Sequence, residues 1–504
     1  MTRRTFLGGA VAAGLCGEGA PSRRYHLSLS TDILDRKPEL LALIRDAGVG
    51  TVWLDDFLWG HHPYTREKIA ATAGVIRKAG LSAEILNVPF GHPGGTPAEP
   101  MSVPPSHWRQ AVRADGTKYW GTSLHAPAQE ENAEAARRMG GLGFHSLFVD
   151  DDFRLAASPG TIGGCFCEEH WKRFCNQYGR SVSVKEELAE DMRRRSPSPL
   201  LRDWVDFQCS QLTACFRAIQ AAQPSLRLGI MVMYFGSEKA GIRLSDYRET
   251  PMRVGEFMFD DKVFAPVRGK TDELFSALFH RRFVSPELSF SETTAYPADR
   301  LSAANMAAKL AVSTLTDVRN TMFMSGGEPF PLTHWETLGP AMRHHAAIHA
   351  GVAGHKPAGP FKHYWGEYSR LVGEDRPYSL FLAAGIPFEV CEQVPGDGWT
   401  FLSDEDARAV TDRKLRSAGS EMITRREVPE TLADLFAFKR RILARIAGVP
   451  YIEEEQPAVC SWLPTARTAL VWNLSTEARN LTLRFGAERR PVKAAALGFA
   501  EVKL

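Results

Sequence analysis

The chain has 504 residues, about three times the roughly 150 residues of a typical domain, so two or three domains are expected. Apolar residues make up 44% of it and charged residues 24%, which is typical of a soluble globular protein and excludes a disordered or multi-span membrane chain. The 61 basic and 59 acidic residues leave a formal net charge of +2, too small to favour nucleic acid or a charged membrane as a partner.

The first residues predict an export signal. Arg3 and Arg4 stand directly before a short apolar run at 7–15, an arrangement that resembles a twin-arginine signal. The run is shorter than the roughly 20 residues that span a membrane as a helix, so we expect no stable membrane anchor. We interpret 1–22 as a signal peptide and expect a periplasmic or extracellular protein; the alternative is a cytoplasmic protein with a chance arginine pair.

Strand-like and helix-like patterns alternate eight times between residues 23 and 355. The predicted strands are 26–30, 51–55, 83–88, 145–150, 227–234, 256–259, 288–291 and 320–324. The predicted helices are 37–47, 66–79, 128–139, 200–222, 271–282, 303–316 and 337–350. Eight repeats predict a closed (β/α)8 barrel, that is, a TIM barrel. An open doubly wound sheet is the alternative, but no glycine-rich fingerprint follows the first strand.

Two further regions follow the barrel. Residues 356–456 are expected to form a small α/β layer from the segments 378–386, 389–390, 400–402, 404–417 and 421–423, with a helix near 432–446. Residues 457–504 show short alternating runs at 468–473, 480–485, 491–495 and 499–502, which predict a small antiparallel sheet.

Acidic residues follow the fourth predicted strand, where a barrel enzyme carries its chemistry. Asp150, Asp151 and Asp152 are adjacent, and their mutual repulsion is expected to raise the pKa of at least one carboxyl. Strand alternation turns Phe148, Asp150 and Asp152 toward the barrel axis. A solvated acidic loop or a cation site is the alternative interpretation.

Glu292 leaves the seventh predicted strand, across the mouth from the aspartates. Two carboxyl groups that flank a bond are the working parts of glycoside hydrolysis, one as acid and the other as nucleophile or base. Alternation groups Glu292 with Phe290, so we expect a bend at the strand exit to turn Glu292 inward. Glu287, before the same strand, is expected to be structural.

Other polar and aromatic residues near the strand exits and in the long insertions at 89–127 and 153–199 are candidates for binding sugar hydroxyls. Each has an alternative role as a helix cap or solvated side chain. The candidates are Asp55, Asp56, Asn87, His92, Trp120, Arg154, Tyr234, Asp260 and Glu328.

Seven cysteines remain beyond the signal, an odd number that cannot pair completely within one chain. Cys165, Cys167 and His170, with Cys175 nearby, offer the thiols and imidazole of a tetrahedral structural zinc site. A disulfide accompanied by buried free thiols is equally compatible with the sequence.

The strand exit Phe148-Val149-Asp150-Asp151-Asp152-Phe153-Arg154, the loop Gly164-Cys165-Phe166-Cys167-Glu168-Glu169-His170 and Glu292 together resemble exported bacterial glycoside-hydrolase-like barrels. The broad clan includes the family 42 β-galactosidases, to which the chain is distantly similar. Those enzymes carry a similar Cys-x-Cys loop that can bind zinc, with a third cysteine where this chain has His170. They have Asn-Glu at the fourth strand exit, where this chain has Asp-Asp.

We therefore expect an exported glycosidase that acts on a glycoside or an oligo- or polysaccharide and requires no cofactor, with structural zinc as an option. Glu292 is the expected nucleophile or base, and the Asp150–Asp152 run the expected source of the acid. Two alternatives stay open: a non-catalytic carbohydrate-binding protein on a hydrolase scaffold, and a lyase or isomerase that uses the aspartates on Mg²⁺ or Mn²⁺.

Overall fold

The computed structural model describes residues 23–90, 105, 107–150, 153–158, 160–255, 260–391, 393, 396–412, 421–424 and 427–504, without the side chains of 119, 120 and 410–412. The predicted signal peptide lies outside these residues. Within the described part of the chain, no helix is both long and apolar enough to cross a membrane.

Eight parallel strands close into a barrel, which confirms the predicted fold class. A two-stranded hairpin, β4 and β5, is inserted after the third barrel strand. In chain order the strands are β1 (Arg24–Leu29), β2 (Thr51–Leu58), β3 (Ser82–Val88), β4 (Gln110–Val112), β5 (Lys118–Thr122), β6 (Ser146–Val149), β7 (Arg227–Met233), β8 (Met252–Gly255), β9 (Ser289–Thr294) and β10 (Asn320–Met324). The barrel closes where β1 pairs with β10, with Arg24 opposite Asn320.

Helices cover the outside of the barrel. They are α1 (Ile33–Arg36), α2 (Leu40–Ala47), α3 (Arg66–Lys78), α4 (Ala128–Arg138), α5 (Glu168–Tyr178), α6 (Lys185–Arg194), α7 (Pro199–Ala222), α8 (Asp261–Phe264), α9 (Val267–His280), α10 (Ala303–Leu315) and α11 (His334–Val352). Several begin at a hydroxyl cap: Thr65 accepts from the backbone of Lys68, and Ser198 accepts from Leu201. Such caps satisfy backbone donors that the first turn leaves free.

The barrel interior is packed with large side chains. Trp53, Phe148 and Phe290 meet there, with 4.8 Å between the ring centroids of Trp53 and Phe148 and 5.0 Å between those of Phe148 and Phe290. Gly229 makes room for this layer, because a Cβ atom there would lie 2.4 Å from the Phe148 ring. Phe148 thus faces the barrel axis, as strand alternation predicts.

The sixth barrel strand begins earlier than predicted. The structure has β8 at Met252–Gly255, paired with β7 and β9, whereas the expected segment 256–259 lies outside the described residues. The prediction followed the aromatic residues of 256–259. The buried strand instead contains an arginine, Arg253, that an apolar pattern does not select.

A parallel four-stranded sheet follows the barrel, in the order β12, β11, β13, β14. Its strands are β11 (Phe361–Tyr364), β12 (Phe388–Cys391), β13 (Trp399–Leu402) and β14 (Glu421–Ile423), and its helices are α12 (Glu367–Val372), α13 (Asp404–Asp412) and α14 (Leu432–Ile442). The segment 378–386, which the sequence places in this layer, holds a buried 3-10 turn, Leu380–Ala383. A short, continuously apolar run does not reveal by its pattern which structure it adopts.

The chain ends in two three-stranded antiparallel sheets rather than one. Their strands are β15 (Tyr451–Ile452), β16 (Ala458–Leu463), β17 (Thr468–Asn473), β18 (Arg479–Phe485), β19 (Glu488–Ala494) and β20 (Phe499–Lys503). One of the two sheets includes Tyr451 and Ile452, because β15 pairs with β18. The inner face of this terminal region joins the main core through Val459, Leu463 and Trp472.

Candidate active site

One buried arginine joins two of the predicted catalytic carboxylates inside the barrel. Arg253 on β8 forms ion pairs with Asp150 and Glu292, and its Nε lies 2.7 Å from Glu292 Oε2. The guanidinium lies above the Phe148 ring, 5.4 Å from the centroid, and its Nη1 lies 3.2 Å from Met322 Sδ. Asp150 and Glu292 therefore converge on neighbouring nitrogens of a single group directly above the aromatic layer.

Glu292 is held from three directions. Its Oε2 contacts Arg253, the Thr294 hydroxyl donates to its Oε1, and the Lys309 ammonium from α10 donates to its backbone carbonyl. Phe290 and Glu292 both face inward along a regular strand, so the expected bend at the strand exit is not needed. Simple alternation, with Phe290 as an interior residue, accounts for the orientation of Glu292.

Asp150 follows β6 directly and is only 3% exposed. Its backbone amide donates to the Asn87 carbonyl at 2.9 Å, which continues the pairing of β6 with β3 for one residue. The other two members of the predicted acidic run, Asp151 and Asp152, lie outside the described residues. The structure therefore fixes the orientation of the first aspartate.

Asp55, near the exit of β2, is a third carboxyl at the mouth. It follows the interior residue Trp53 by two positions, and its Oδ1 accepts from the backbone amide of Thr31 at 2.9 Å. Burial raises the pKa of Asp55 to about 6, although the bonds from Thr31 act in the opposite direction. Asp55 thus combines a partly exposed position with a tendency to stay protonated in mild acid.

Two predicted sugar-binding residues have structural contacts away from the barrel axis. Asp56 is buried and forms an ion pair with Arg138 of α4, and the His62 ring nitrogen lies 3.3 Å from the same carboxylate. The Asn87 side chain accepts from the Phe57 backbone at 3.1 Å, where the pairing of β2 with β3 shifts register. Both residues therefore stabilise the wall that carries Asp55.

The remaining predicted binding residues are scattered. Asp260 caps α8 by accepting from the Val263 amide at 2.9 Å, and Glu328 lies on the surface with 3.4 Å to Arg36. Arg154 is buried and donates to the Ala156 carbonyl. Tyr234 lies in the core outside the strands. His92 and the Trp120 side chain are outside what the structure describes.

The predicted metal loop forms a compact group with a partner that the sequence analysis missed. The possible ligand atoms of His125, Cys167 and His170 all lie within 4.8 Å of one another. Cys167 Sγ is 3.2 Å from His125 Nε2 and 3.6 Å from His170 Nδ1. Tetrahedral zinc with bonds of about 2.0–2.3 Å separates its ligand atoms by comparable distances.

The electrostatics of this group suit a cation. A hydrogen bond from the Cys165 thiol and the backbone amide of His170 hold the pKa of Cys167 well below its usual range. Cys167 also caps α5, whose N-terminal dipole favours a thiolate. Burial lowers the pKa of His170 to about 4, so its ring stays neutral at physiological pH.

Cys165 and Cys175, the other two predicted metal ligands, lie in different places. Cys165 contacts Cys167 directly through the thiol hydrogen bond. Cys175 lies in a separate apolar cluster with Phe174 and Trp171, and its Sγ is 3.7 Å from the Ser181 carbonyl. All seven described cysteines are free, so the described residues contain no disulfide.

Arg253 and His125 are the functional candidates that sequence reasoning missed. For Arg253 the sequence does contain a local signal, namely a charged residue within a short apolar run. Such a residue is buried only when it is paired with an opposite charge. His125 has no such signal, because it lies 42 residues before Cys167 and reaches it only through the inserted hairpin.

No protein-family model and no curated protein matches this chain. Solved structures do. The β-galactosidase of Rahnella sp. R3 aligns with 97% of this chain and 99% of its own at 11% identity and a TM-score of 0.60, and that of Marinomonas ef1 with 95% and 99% at 8% identity and a TM-score of 0.62. A catalytic mutant of a GH42 β-galactosidase from G. stearothermophilus aligns with 96% of this chain and 98% of its own, at 10% identity and a TM-score of 0.61.

This chain is a distant structural relative of the GH42 β-galactosidases. The likeness extends over the barrel and both following regions, and it confirms the resemblance inferred from the sequence. At such low identity it establishes the scaffold. The activity has to be argued from the residues of the site.

Proposed function

We propose that this protein is an exported glycoside hydrolase whose catalytic carboxylates lie at the mouth of the barrel. The observation that carries the proposal is the convergence of Asp150, at the end of β6, and Glu292, on β9, on Arg253 of β8. Barrel enzymes place their chemistry at the carboxyl ends of the strands, and hydrolysis of a glycosidic bond needs two carboxyl groups in one cleft.

Glu292 is the proposed nucleophile or base. The Arg253 guanidinium and the Thr294 hydroxyl both contact its carboxylate, and a cation in direct contact favours the charged form. An ionised, oriented carboxylate can attack an anomeric carbon or activate a water molecule. Lys309, which binds the backbone of Glu292, holds the strand in place.

The proton donor is assigned to Asp151 or Asp152. Asp150 shares the Arg253 guanidinium with Glu292, so its proposed role is to orient the arginine. Asp55, whose pKa burial raises to about 6, is proposed to bind a sugar hydroxyl at the mouth. The substrate class is a glycoside, oligosaccharide or polysaccharide.

Glu292→Gln tests this assignment, with Glu287→Gln as the matched control at the other end of the same strand. On a panel of chromogenic aryl glycosides, the first variant should lose about 10²–10⁴-fold in kcat. The control should retain wild-type turnover, since Glu287 is exposed and paired with Arg319. Undiminished turnover in Glu292→Gln would refute the role of Glu292.

A binding protein without catalysis is the second candidate. It is favoured by the burial of the ion-paired set, because Glu292 is 2% exposed and Arg253 fully buried. An arginine that is ion-paired with both carboxylates would keep them from reacting with a bound sugar. Glycan binding by the wild-type protein without release of a new reducing end would select this function.

We also propose that His125, Cys167 and His170 hold a structural zinc ion, with the neighbouring Cys165, once its thiol proton is released on binding, as the fourth ligand. The support is the spacing of the ligand atoms, the thiolate character of Cys167 and the buried, neutral ring of His170. Bound zinc would link the loop before α5 to the hairpin before α4. This link would fix one wall of the mouth.

Export by the twin-arginine route is proposed from residues 1–22 alone. In a bacterial host, the wild-type chain should reach the periplasm, and the Arg3→Lys/Arg4→Lys double variant should accumulate in the cytoplasm. Equal periplasmic yield of the two chains would contradict the signal.

A further inference from the structure

A cavity of about 640 Å³ lies between the barrel and the α/β layer. Its barrel side is formed by Tyr234, after β7, and by the first turns of α9. The opposite side is formed by the segment 375–378 and by Glu430. The volume falls within the roughly 300–1,000 Å³ of small-molecule sites.

The cavity is distinct from the candidate active site. The described residues that line it include Tyr234, Asp272 and Asp375 but neither Glu292 nor Arg253, which face the barrel interior. The backbone amide of Tyr234 donates to the Gly255 carbonyl at 2.6 Å, which continues the pairing of β7 with β8. A ligand in the cavity would therefore contact the segments that follow β7 and β8 and the start of α9.

The floor of the cavity contains a desolvated hydrogen-bond acceptor. Asp375 Oδ1 lies 2.6 Å from Lys239 Nζ, and both side chains are almost completely buried. The second oxygen, Asp375 Oδ2, is buried and accepts no hydrogen bond from any described residue. Because a buried polar atom without a partner costs free energy, a donor supplied by a ligand would be favourable there.

The other lining groups are mainly acceptors as well. Asp272 contacts the Ser379 hydroxyl, and its pKa is raised to about 7 by burial, which indicates poor hydration. The carboxyl groups of Glu273 and Glu430 bring the total to four, against two guanidinium groups from Arg268 and Arg376. Asp375 is already paired with Lys239 and the raised pKa of Asp272 reduces its negative charge, so the lining has no large net charge that would attract an ion, whereas hydroxyl donors would find acceptors.

We propose that this cavity binds an uncharged, hydroxyl-rich saccharide unit as a second carbohydrate site, an inference whose ligand class rests on the proposed function. Hydroxyl groups donate to Asp375, Asp272 and Glu430, while Arg268 donates to ring or hydroxyl oxygens. Tyr378 offers a partly exposed ring at the entrance. A bound sugar bridges the barrel and the α/β layer, so it stabilises their docking.

The test uses the full chain in the Glu292→Gln background, so that no substrate is consumed. Galactose, glucose and xylose serve as probes, with glucuronate as the anionic comparison, and binding is followed by saturation-transfer NMR titration and thermal shift. Tyr378→Ala and Glu430→Ala should each weaken binding of the uncharged probes by about tenfold, the loss of roughly one good contact. Glu336→Ala, an exposed glutamate on α11, is the matched control and should leave binding unchanged.

The outcomes separate this site from the proposed hydrolase activity. Binding that is weakened by the cavity variants, whatever Glu292→Gln does to turnover, supports the second site. Three results overturn it: binding of none of the uncharged sugars, equal or stronger binding of glucuronate, or binding that is unaffected by both cavity variants.

Discussion

Arg253 and Glu292 form an ion pair inside the barrel across the neighbouring strands β8 and β9, with 2.7 Å between Nε and Oε2. Neither side chain is more than 2% exposed. Asp150, at the end of β6, shares the same guanidinium, so one positive charge is paired with two carboxylates. The ion-paired residues Arg253, Asp150 and Glu292 therefore affect the stability of the fold as well as the proposed chemistry.

Removing the arginine should destabilise the protein strongly. Arg253→Met leaves two buried carboxylates without their cation, and breaking a buried pair in this way costs about 3–5 kcal/mol. Urea unfolding of the variant and the wild type measures the difference. The triple variant Arg253→Met/Asp150→Asn/Glu292→Gln should recover most of the loss, because no unpaired charge remains. A single variant within about 1 kcal/mol of wild type would contradict this account.

Metal analysis should find zinc bound to the purified protein. Cys167→Ala should abolish the bound zinc and lower the Tm, and a strong chelator should lower the wild-type Tm in the same way, because structural zinc contributes directly to folding. Cys391→Ala is the control, since Cys391 lies in β12, away from His125. A wild-type protein that is free of metal and insensitive to chelator would rule out the site.

Asp272 should make the protein less stable as the pH rises toward neutrality. Its pKa is about 7 in the folded chain because of burial, opposed by Ser379 and Arg268, and 3.8 is its ordinary value. As the pH rises, Asp272 loses its proton at a lower pH in the unfolded chain than in the folded chain. Its contribution to the free energy of unfolding is therefore fully present below about pH 4 and is lost as the pH rises to about 7.

The side chain of Asp272→Asn cannot ionise. The free energy of unfolding of this variant, relative to wild type, should therefore rise by as much as about 4 kcal/mol between pH 4 and 7. Denaturant unfolding at several pH values gives the comparison, with exposed Asp299→Asn as the control. A difference between wild type and Asp272→Asn that does not change with pH would show that Asp272 has no raised pKa.

The terminal sheets should be required for solubility. Deleting 451–504 exposes the core that Val459, Leu463 and Trp472 complete, so the soluble yield should fall sharply. Trp472→Ala is the milder variant and should cost about 3–5 kcal/mol. Its turnover of aryl glycosides per folded molecule should equal that of wild type, whereas a large drop would place the sheet in the substrate site.

The barrel and most of its elements could be predicted because their signals are local. The strand at Asn320–Met324 and the helices that begin near Arg66 and Ala128 have the predicted positions, since hydrophobic period and capping residues act within a few positions. The inward orientation of Phe148 also follows from alternation along one strand. The same local rule, applied without the expected bend, gives the direction of Glu292.

Only the tertiary structure decided how distant groups meet. It brought Arg253 between Asp150 and Glu292, placed His125 beside Cys167, and moved Cys175 into an apolar cluster. It also gave Asp56 and Asn87 contacts within the barrel wall. These outcomes depend on which strands become neighbours when the barrel closes and on where the inserted hairpin docks, and neither is encoded in the spacing of residues along the chain.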